Sequence, residues 1–230
     1  MSAGAVSARR IEPEWLDALP PHEERARRSR DDLVLVNALM GSASRVAGVL
    51  GAVSPRTVAE IGGGCGRFLL SVASRAALAS PVEATILDRE PCVGTRTLES
   101  LRTLGWNAQA VRGDVFDWLD ARTTPRFDAI VANLFLHHFD DAALQAMLAA
   151  VAARTRCFVA FEPRRSRMAL AGAKLLGLVG CNDVTRHDAV VSVHAGFLDG
   201  ELARLWSAPG WRLVEERAGP FGHRFVAWAP

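Results

Sequence analysis

One short stretch constrains the fold of this chain more than any other. The residues Thr57–Ile61 are mostly small or β-branched, as in the central strand of a parallel sheet. Glycine then recurs at Gly62, Gly64 and Gly66, where it permits unusual backbone angles and a close approach of a ligand. From Arg67 onward the apolar residues recur at helical spacings. The stretch therefore predicts a strand, a glycine loop and a helix, a unit that binds nucleoside-bearing ligands at the end of its strand.

The acid just before the loop narrows the choice of ligand. Glycine loops of this kind also serve NAD and FAD, whose pyrophosphate lies at the N-terminus of the helix. The carboxylate of Glu60 would repel a pyrophosphate, whereas it suits a ligand that carries an ammonium and a sulfonium group. The sequence therefore favours S-adenosylmethionine, and a tight turn that binds no ligand is the alternative.

Two further acids occur where later strands are expected to end. Asp88 closes a predicted strand and lies about 20 residues after the glycine loop, the spacing of a carboxylate that accepts ribose hydroxyl groups. Asp114 follows the next predicted strand, where its carboxylate can accept the amino group of adenine and Val115 can cover the ring. Asp114 is equally well placed to cap the helical turn that contains Phe116, and the two roles are compatible.

The rest of the chain alternates strand and helix patterns, which predicts an α/β fold. We expect a Rossmann-like, doubly wound sheet of about seven strands that ends in an antiparallel hairpin, Trp211–Glu216 and His223–Trp228. Helical patterns before the first strand predict N-terminal helices that cap the ligand cleft. The prediction is a single domain of residues 1–230, with a helical cap at 11–53 and a core at 56–230.

The residues at the ends of successive predicted strands carry a family resemblance. Glu60 with its glycines, Asp88, Gly113-Asp114 and Asn133 together resemble the class I S-adenosylmethionine-dependent methyltransferases over residues 57–161. The resemblance implies that Glu60 and the glycines surround the methionine end, Asp88 holds the ribose, and Asn133 lies beside the sulfonium. The full set of expected cofactor-binding residues is Glu60, Gly62, Gly63, Gly64, Asp88, Arg89, Asp114, Val115, Asn133 and Leu134.

The segment Asn133-Leu-Phe-Leu-His-His-Phe139 carries a finer resemblance. It is similar to the corresponding region of small-molecule methyltransferases that act on phenolic, quinone or polyketide compounds. The resemblance implies methylation of oxygen or carbon in a small, mostly apolar, hydroxylated acceptor. Such a reaction needs orientation and exclusion of water, and it gains from a base that removes the acceptor proton. The candidate catalytic bases are His137, His138 and His187.

The later part of the chain is expected to enclose the acceptor. An apolar helix at Met168–Val179, with Phe197 and Trp206, is predicted to form the pocket wall. The stretch 182–188 is expected to be irregular. Glu162, at the end of the fifth predicted strand, either orients the acceptor or pairs with one of the two arginines that follow closely.

Composition limits which partners and which cellular location are expected for the protein. A formal net charge of +2 argues against a nucleic-acid partner, and the chain has no apolar run long enough for a membrane span or secretory leader. A cytoplasmic protein with a small-molecule substrate is therefore expected, and a homodimer is compatible with the sequence. The four cysteines form no C-x-x-C pair, so reduced thiols and no metal site are expected; they are Cys65, Cys92, Cys157 and Cys181.

Two other functions remain compatible with the sequence. A nicotinamide-dependent oxidoreductase would need a G-x-G-x-x-G loop, whereas position 67 is Arg67 rather than glycine. A catalytically silent partner protein would bind the adenosyl cofactor and would not depend on any histidine.

Overall fold

The computed structural model describes residues 8–20, 22–78 and 81–230, and a seven-stranded sheet forms its centre. The strands are β1 (Thr57–Ile61), β2 (Val82–Asp88), β3 (Trp106–Arg112), β4 (Phe127–Asn133), β5 (Thr155–Pro163), β6 (Arg212–Ala218) and β7 (Gly222–Trp228). Their order across the sheet is β3-β2-β1-β4-β5-β7-β6. The predicted α/β fold and the number of strands are confirmed.

The first five strands run parallel, and their pairing brings the predicted ligand-binding residues to one edge. The end of β1 at Ile61 is level with Leu87 of β2 and Ala132 of β4. The loops that follow these three strands therefore start side by side. The last strand, β7, runs antiparallel between β5 and β6, and a turn at Gly219 with φ of 81° joins the predicted hairpin.

Helices cover both faces of the sheet. They are α1 (Trp15–Ala18), α2 (Glu24–Met40), α3 (Ser42–Val53), α4 (Arg67–Ala73), α5 (Thr95–Thr103), α6 (Val115–Asp120), α7 (Asp141–Arg154), α8 (Arg167–Leu175), α9 (Asp183–Ala195) and α10 (Glu201–Leu205), with 3₁₀ turns at Leu136–His138 and Leu176–Val179. One core cluster joins apolar side chains of α3, α4 and α5 to one face of the sheet. A second cluster joins α6, α7 and α10 to the other face.

The segment expected to be irregular after residue 181 is instead the start of α9. Asn182 is its N-cap, and the Asn182 side chain accepts a hydrogen bond from the Thr185 N–H at 2.9 Å. The polar residues that suggested a loop are those that satisfy the free N–H groups of a helix start. The resulting helix packs against α8, α2 and α1.

The apolar helix after β5 is buried on one face only. Ala169 and Ala173 of α8 are buried against Val193 of α9, and Leu176 of the 3₁₀ extension is buried as well. Met168 is 54% exposed and Leu178 is 82% exposed. Most of the long apolar side chains therefore lie on the exposed face of α8 and its 3₁₀ extension, and their role as a pocket wall stays a prediction.

No single helix in the described part of the chain is long and apolar enough to span a membrane, although α2 and α3, bent by 67°, together satisfy the length and composition criteria.

Candidate active site

The glycine loop after β1 has the backbone that its sequence predicts. Gly62, Gly64 and Gly66 adopt positive φ angles of 71°, 51° and 68°. A Cβ atom on Gly62 would lie 2.2 Å from the ring of Phe135, so this position excludes any side chain. At Gly64, by contrast, no atom of the described residues lies within 4 Å of where a Cβ would be. The loop therefore leaves open space beside Gly64, and a glycine at such a position permits a ligand to approach the backbone closely.

Two buried polar atoms at this edge have no partner in the described structure. They are Oε2 of Glu60 and Oδ1 of Asn133, and both residues are less than a tenth exposed. Burial, together with the nearby charge of Asp88, raises the pKa of Glu60 to about 8. An unpaired buried acceptor is costly, so these atoms fit a ligand that brings a cation or N–H donors. The residues present thus suit the ammonium-bearing end of S-adenosylmethionine.

Asp88 ties the second loop to the first. Its Oδ2 accepts the N–H of Gly64 at 2.8 Å, and its Oδ1 accepts the N–H of Glu90 at 2.9 Å. A carboxylate has about four lone-pair sites, so it can still accept ribose hydroxyl groups. The expected ribose acid therefore also shapes the glycine loop.

Asp114 has the capping role that the sequence predicted, and its second oxygen binds an arginine. Its Oδ1 accepts the N–H of Phe116 at 2.8 Å and caps α6, while its Oδ2 pairs with the guanidinium of Arg89 at 2.7 Å. Burial by itself would raise the pKa of Asp114, but these hydrogen bonds hold it below its usual value. Val115, the next residue in the chain, is buried. The structure thus brings Arg89, Asp114 and Val115 together.

A disulfide joins the two cofactor loops, which corrects the expectation of reduced thiols. Cys65 of the glycine loop is bonded to Cys92, which follows Asp88 on the next loop. The Cys92 N–H also donates to the carbonyl of Gly64 at 3.1 Å. Wide separation in sequence concealed the pair, because parallel pairing of β1 and β2 places the two loops side by side. Cys157 and Cys181 are buried free thiols.

The turn after β4 is anchored by an acid from β5. Glu162 is fully buried, and its Oε1 accepts the N–H groups of Phe135 and Leu136 at 3.0 and 2.9 Å. The expected pairing of Glu162 with Arg164 or Arg165 is wrong, since these arginines pair with Asp199 and Glu201 instead. Leu134 begins this turn with φ of 52°, an unfavourable angle for leucine. The turn is therefore held in a fixed and strained conformation.

His137 and His138 lie on this turn, and an acid from the N-terminal segment faces both. The Nδ1 of His137 is 2.7 Å from Glu162, and its Nε2 is 3.3 Å from Oε1 of Glu14. The Nε2 of His138 is 3.5 Å from Oε2 of Glu14. Burial would lower the pKa of His137, but the hydrogen bonds to Glu14 and Glu162 raise it to about 9. Burial by itself would raise the pKa of Glu14, but the two histidines hold it well below its usual value.

The N-terminal segment that carries Glu14 is fixed to α9. Oxygens of the Asp188 carboxylate accept the N–H groups of Trp15 and Leu16 at 2.8 and 2.9 Å. The Trp15 ring stacks on His187 with centroids 3.8 Å apart. His187 therefore contacts this segment through Trp15. Sequence reasoning missed Glu14 because only the tertiary fold brings it to the turn after β4.

The neighbourhood of Asp17 shows how close this segment comes to the cofactor loops. Burial raises the pKa of Asp17, and repulsion from Glu14, Asp188 and Asp88 adds to the rise. The carboxylate of Asp17 in the N-terminal segment is thus repelled by that of Asp88, the expected ribose acid.

Comparison with known proteins agrees with this geometry. A family model described as a methyltransferase domain matches residues 58–156, which include the glycine loop, Asp88, Asp114, Asn133 and the histidine pair. Over these residues the chain is similar to methyltransferase domains. S-adenosylmethionine is the cofactor that this likeness supports, as the sequence predicted. No protein among those with curated descriptions matches the chain.

Solved structures extend the likeness of this methyltransferase domain to nearly the whole chain. The mitomycin 7-O-methyltransferase MmcR has a TM-score of 0.61 at 21% identity, covering 93% of this chain and 60% of its own. The N,N-8-amino-8-demethyl-D-riboflavin dimethyltransferase RosA of Streptomyces davawensis has a TM-score of 0.59 at 19% identity. The match covers 95% of this chain and 62% of RosA. Human N-acetylserotonin methyltransferase, in complex with S-adenosylmethionine, has a TM-score of 0.56 at 14% identity. The match covers 93% of this chain and 61% of the human protein.

At such identities the likeness concerns the fold. The chain spans about three fifths of the length of these three proteins.

Proposed function

We propose that the protein transfers a methyl group from S-adenosylmethionine to a small, mostly apolar acceptor that carries a hydroxyl group. The observation that carries the proposal is the pair of unpartnered atoms, Oε2 of Glu60 and Oδ1 of Asn133, beside the open space at Gly64. Bound there, S-adenosylmethionine supplies an activated methyl group. The expected cofactor set, including Arg89 and Leu134, belongs to this proposal.

The side chains that would meet the acceptor follow directly on the same turn. His137 and His138 come four and five positions after Asn133, and Glu162 fixes the backbone between them. Rigid placement of two reactants is worth up to about 7–11 kcal/mol in favourable intramolecular cases. His138 is the better exposed of the pair, with 27% of its side chain accessible, so it is the stronger candidate for direct contact with the acceptor.

The chemical class of the acceptor follows from the sequence pattern after β4. That pattern is similar to enzymes of phenolic, quinone and polyketide compounds, and MmcR, by its name, methylates an oxygen of mitomycin. Trp15 of the N-terminal segment and His187 of α9 form a stacked pair of flat rings. We infer an acceptor with a flat ring system, methylated at oxygen or at an activated ring carbon.

An assay of S-adenosylhomocysteine formation tests the proposal. The purified chain would be supplied with S-adenosylmethionine and a panel of phenols, hydroxyquinones and aromatic polyketides, and the products identified by mass spectrometry. Methylation of a member of the panel is the expected result. Binding of S-adenosylmethionine without turnover on any acceptor would instead favour the silent partner protein.

Alanine variants then separate a histidine base from catalysis by orientation alone. Loss of a base lowers turnover by roughly 10²–10⁴ while cofactor affinity changes little. We expect this result for His138→Ala, with His137→Ala and His187→Ala as companions. Turnover near that of the wild type in all three would mean that orientation alone accounts for the reaction.

A further inference from the structure

Three side chains from distant parts of the sequence converge on one point beside the turn after β4. They are Glu14, His137 and His138, and one donor atom of each lies within 4.8 Å of the others. The two imidazole rings are 4.2 Å apart between centroids. His137 and Glu14 are largely buried, whereas His138 is partly open to solvent.

Each of the three side chains is held in place by a second group. The Nδ1 atom of His137 faces the buried carboxylate of Glu162 at 2.7 Å, and that of His138 faces the carbonyl of Phe135 at 2.9 Å. The Oε1 atom of Glu14 accepts a hydrogen bond from the hydroxyl of Ser192. Metal-binding histidines are oriented in this way, with one ring nitrogen on a carboxylate or carbonyl and the other free for the metal.

The distances between the donor atoms fit a metal ion better than they fit ion pairs. The Nε2 atoms of His137 and His138 lie 3.3 and 3.5 Å from the oxygens of Glu14. A charge-assisted N–H···O bond is typically about 2.7–2.9 Å long. Donors about 2.0–2.1 Å from a tetrahedral ion are about 3.4 Å from each other.

We propose that Glu14, His137 and His138 bind a divalent transition metal ion, with Zn²⁺ as the best fit. Two imidazoles and one carboxylate form the donor set of zinc sites that keep a fourth position open. Imidazole nitrogens disfavour Mg²⁺ and Ca²⁺, which take oxygen ligands. The partial exposure of His138 leaves a side from which a fourth ligand can approach.

Metal binding does not depend on methyl transfer, so this inference and the proposed function can fail separately. A consequence that does rest on the proposed function is that the fourth position takes the hydroxyl oxygen of the acceptor. A Zn²⁺ ion there would favour the deprotonated oxygen, as it does for bound water, and His138 would then act as a metal ligand in place of a base.

Titration of the chelator-treated full chain with Zn²⁺ in a calorimeter tests the site. We expect one Zn²⁺ per chain, and no binding at this site in Glu14→Gln or His138→Gln. Ser192→Ala should weaken binding by about 10–100-fold, since it removes only a supporting group. The matched controls are Glu12→Gln and His22→Gln, which replace exposed residues of the same types and should bind Zn²⁺ like the wild type.

X-ray absorption at the zinc edge of the wild-type protein gives an answer that needs no variant. Two imidazole nitrogens and oxygen, without sulfur, are expected in the coordination shell. Absence of stoichiometric Zn²⁺ binding, sulfur ligation, or unchanged affinity in folded Glu14→Gln and His138→Gln would overturn the proposal. Binding of S-adenosylhomocysteine, measured on the same samples, reports separately on the cofactor site.

Discussion

The carboxylate of Asp88 accepts the backbone N–H of Gly64 at 2.8 Å, so the acid expected to hold the ribose also holds the glycine loop. The disulfide between Cys65 and Cys92 joins the same two loops one residue further on. The cofactor end of the sheet is thus fixed before any ligand arrives. A site arranged in advance spends less binding free energy on ordering its loops.

Replacement of Asp88 by alanine should impair cofactor binding and loop stability together. Hydrogen bonds to a charged group contribute roughly 1.5–3 kcal/mol each, and about 1.4 kcal/mol corresponds to a tenfold change in affinity. Asp88→Ala should therefore weaken S-adenosylhomocysteine binding by one to several orders of magnitude, measured by calorimetry. Asp88→Asn, which keeps one acceptor oxygen, should lose less. Unchanged affinity in folded Asp88→Ala would remove this residue from the cofactor site.

Replacement of Gly64 by valine should abolish cofactor binding without unfolding the protein. The side chain would enter space that is open in the described structure, at a residue with φ of 51°. Gly180→Val is the matched control, because Gly180 has φ of 89° and an equally open Cβ position outside the cofactor loops. We expect comparable losses of thermal stability in both variants and loss of S-adenosylhomocysteine binding only in Gly64→Val. Normal binding by Gly64→Val would refute a ligand at this loop.

Glu60 should make cofactor affinity depend on pH. Its pKa of about 8 means that the free protein carries a proton there at neutral pH. A ligand ammonium beside Glu60 favours the carboxylate, so binding releases that proton below pH 8. Affinity for S-adenosylhomocysteine should therefore rise with pH up to about 8 and then level off.

Calorimetry in buffers of different ionisation enthalpy measures this proton release directly. Glu60→Gln cannot release the proton and should lose this part of the pH dependence. The informative range is about pH 6 to 8, the two units below the raised pKa of Glu60. If ligand binding to the wild type releases no proton in this range, the ligand has no ammonium group beside Glu60.

Reduction of the Cys65–Cys92 disulfide should lower both stability and cofactor affinity. The bond closes a loop with a sequence separation of 27, for which chain entropy gives about 3–4 kcal/mol. A dithiol reductant should lower Tm and weaken S-adenosylhomocysteine binding in the wild type. The Cys65→Ser/Cys92→Ser variant should show the lowered values from the start and should not respond to the reductant. Four free thiols in the unreduced, denatured wild type would contradict the bond.

Local patterns were sufficient where neighbouring residues determine the structure. The predicted strands at Thr57–Ile61, Val82–Asp88 and Trp106–Arg112 match the observed ones. The first two are buried parallel strands, which carry short apolar runs bounded by turns. Asn182 and its polar neighbours were misassigned because the same residue types favour loops and helix starts. The exposed face of α8 could not be predicted, since a hydrophobic run does not say which side is covered.

The sequence by itself determined the class of fold, the glycine loop and the acids at the ends of the strands, because each depends on residues close together in the chain. Only the tertiary structure brought Cys65 to Cys92, and Glu14 to His137 and His138. These contacts depend on the pairing of β1 with β2 and on the packing of the N-terminal segment against α9. No spacing in the sequence encodes such distances, since they arise from the summed packing of many residues between the partners.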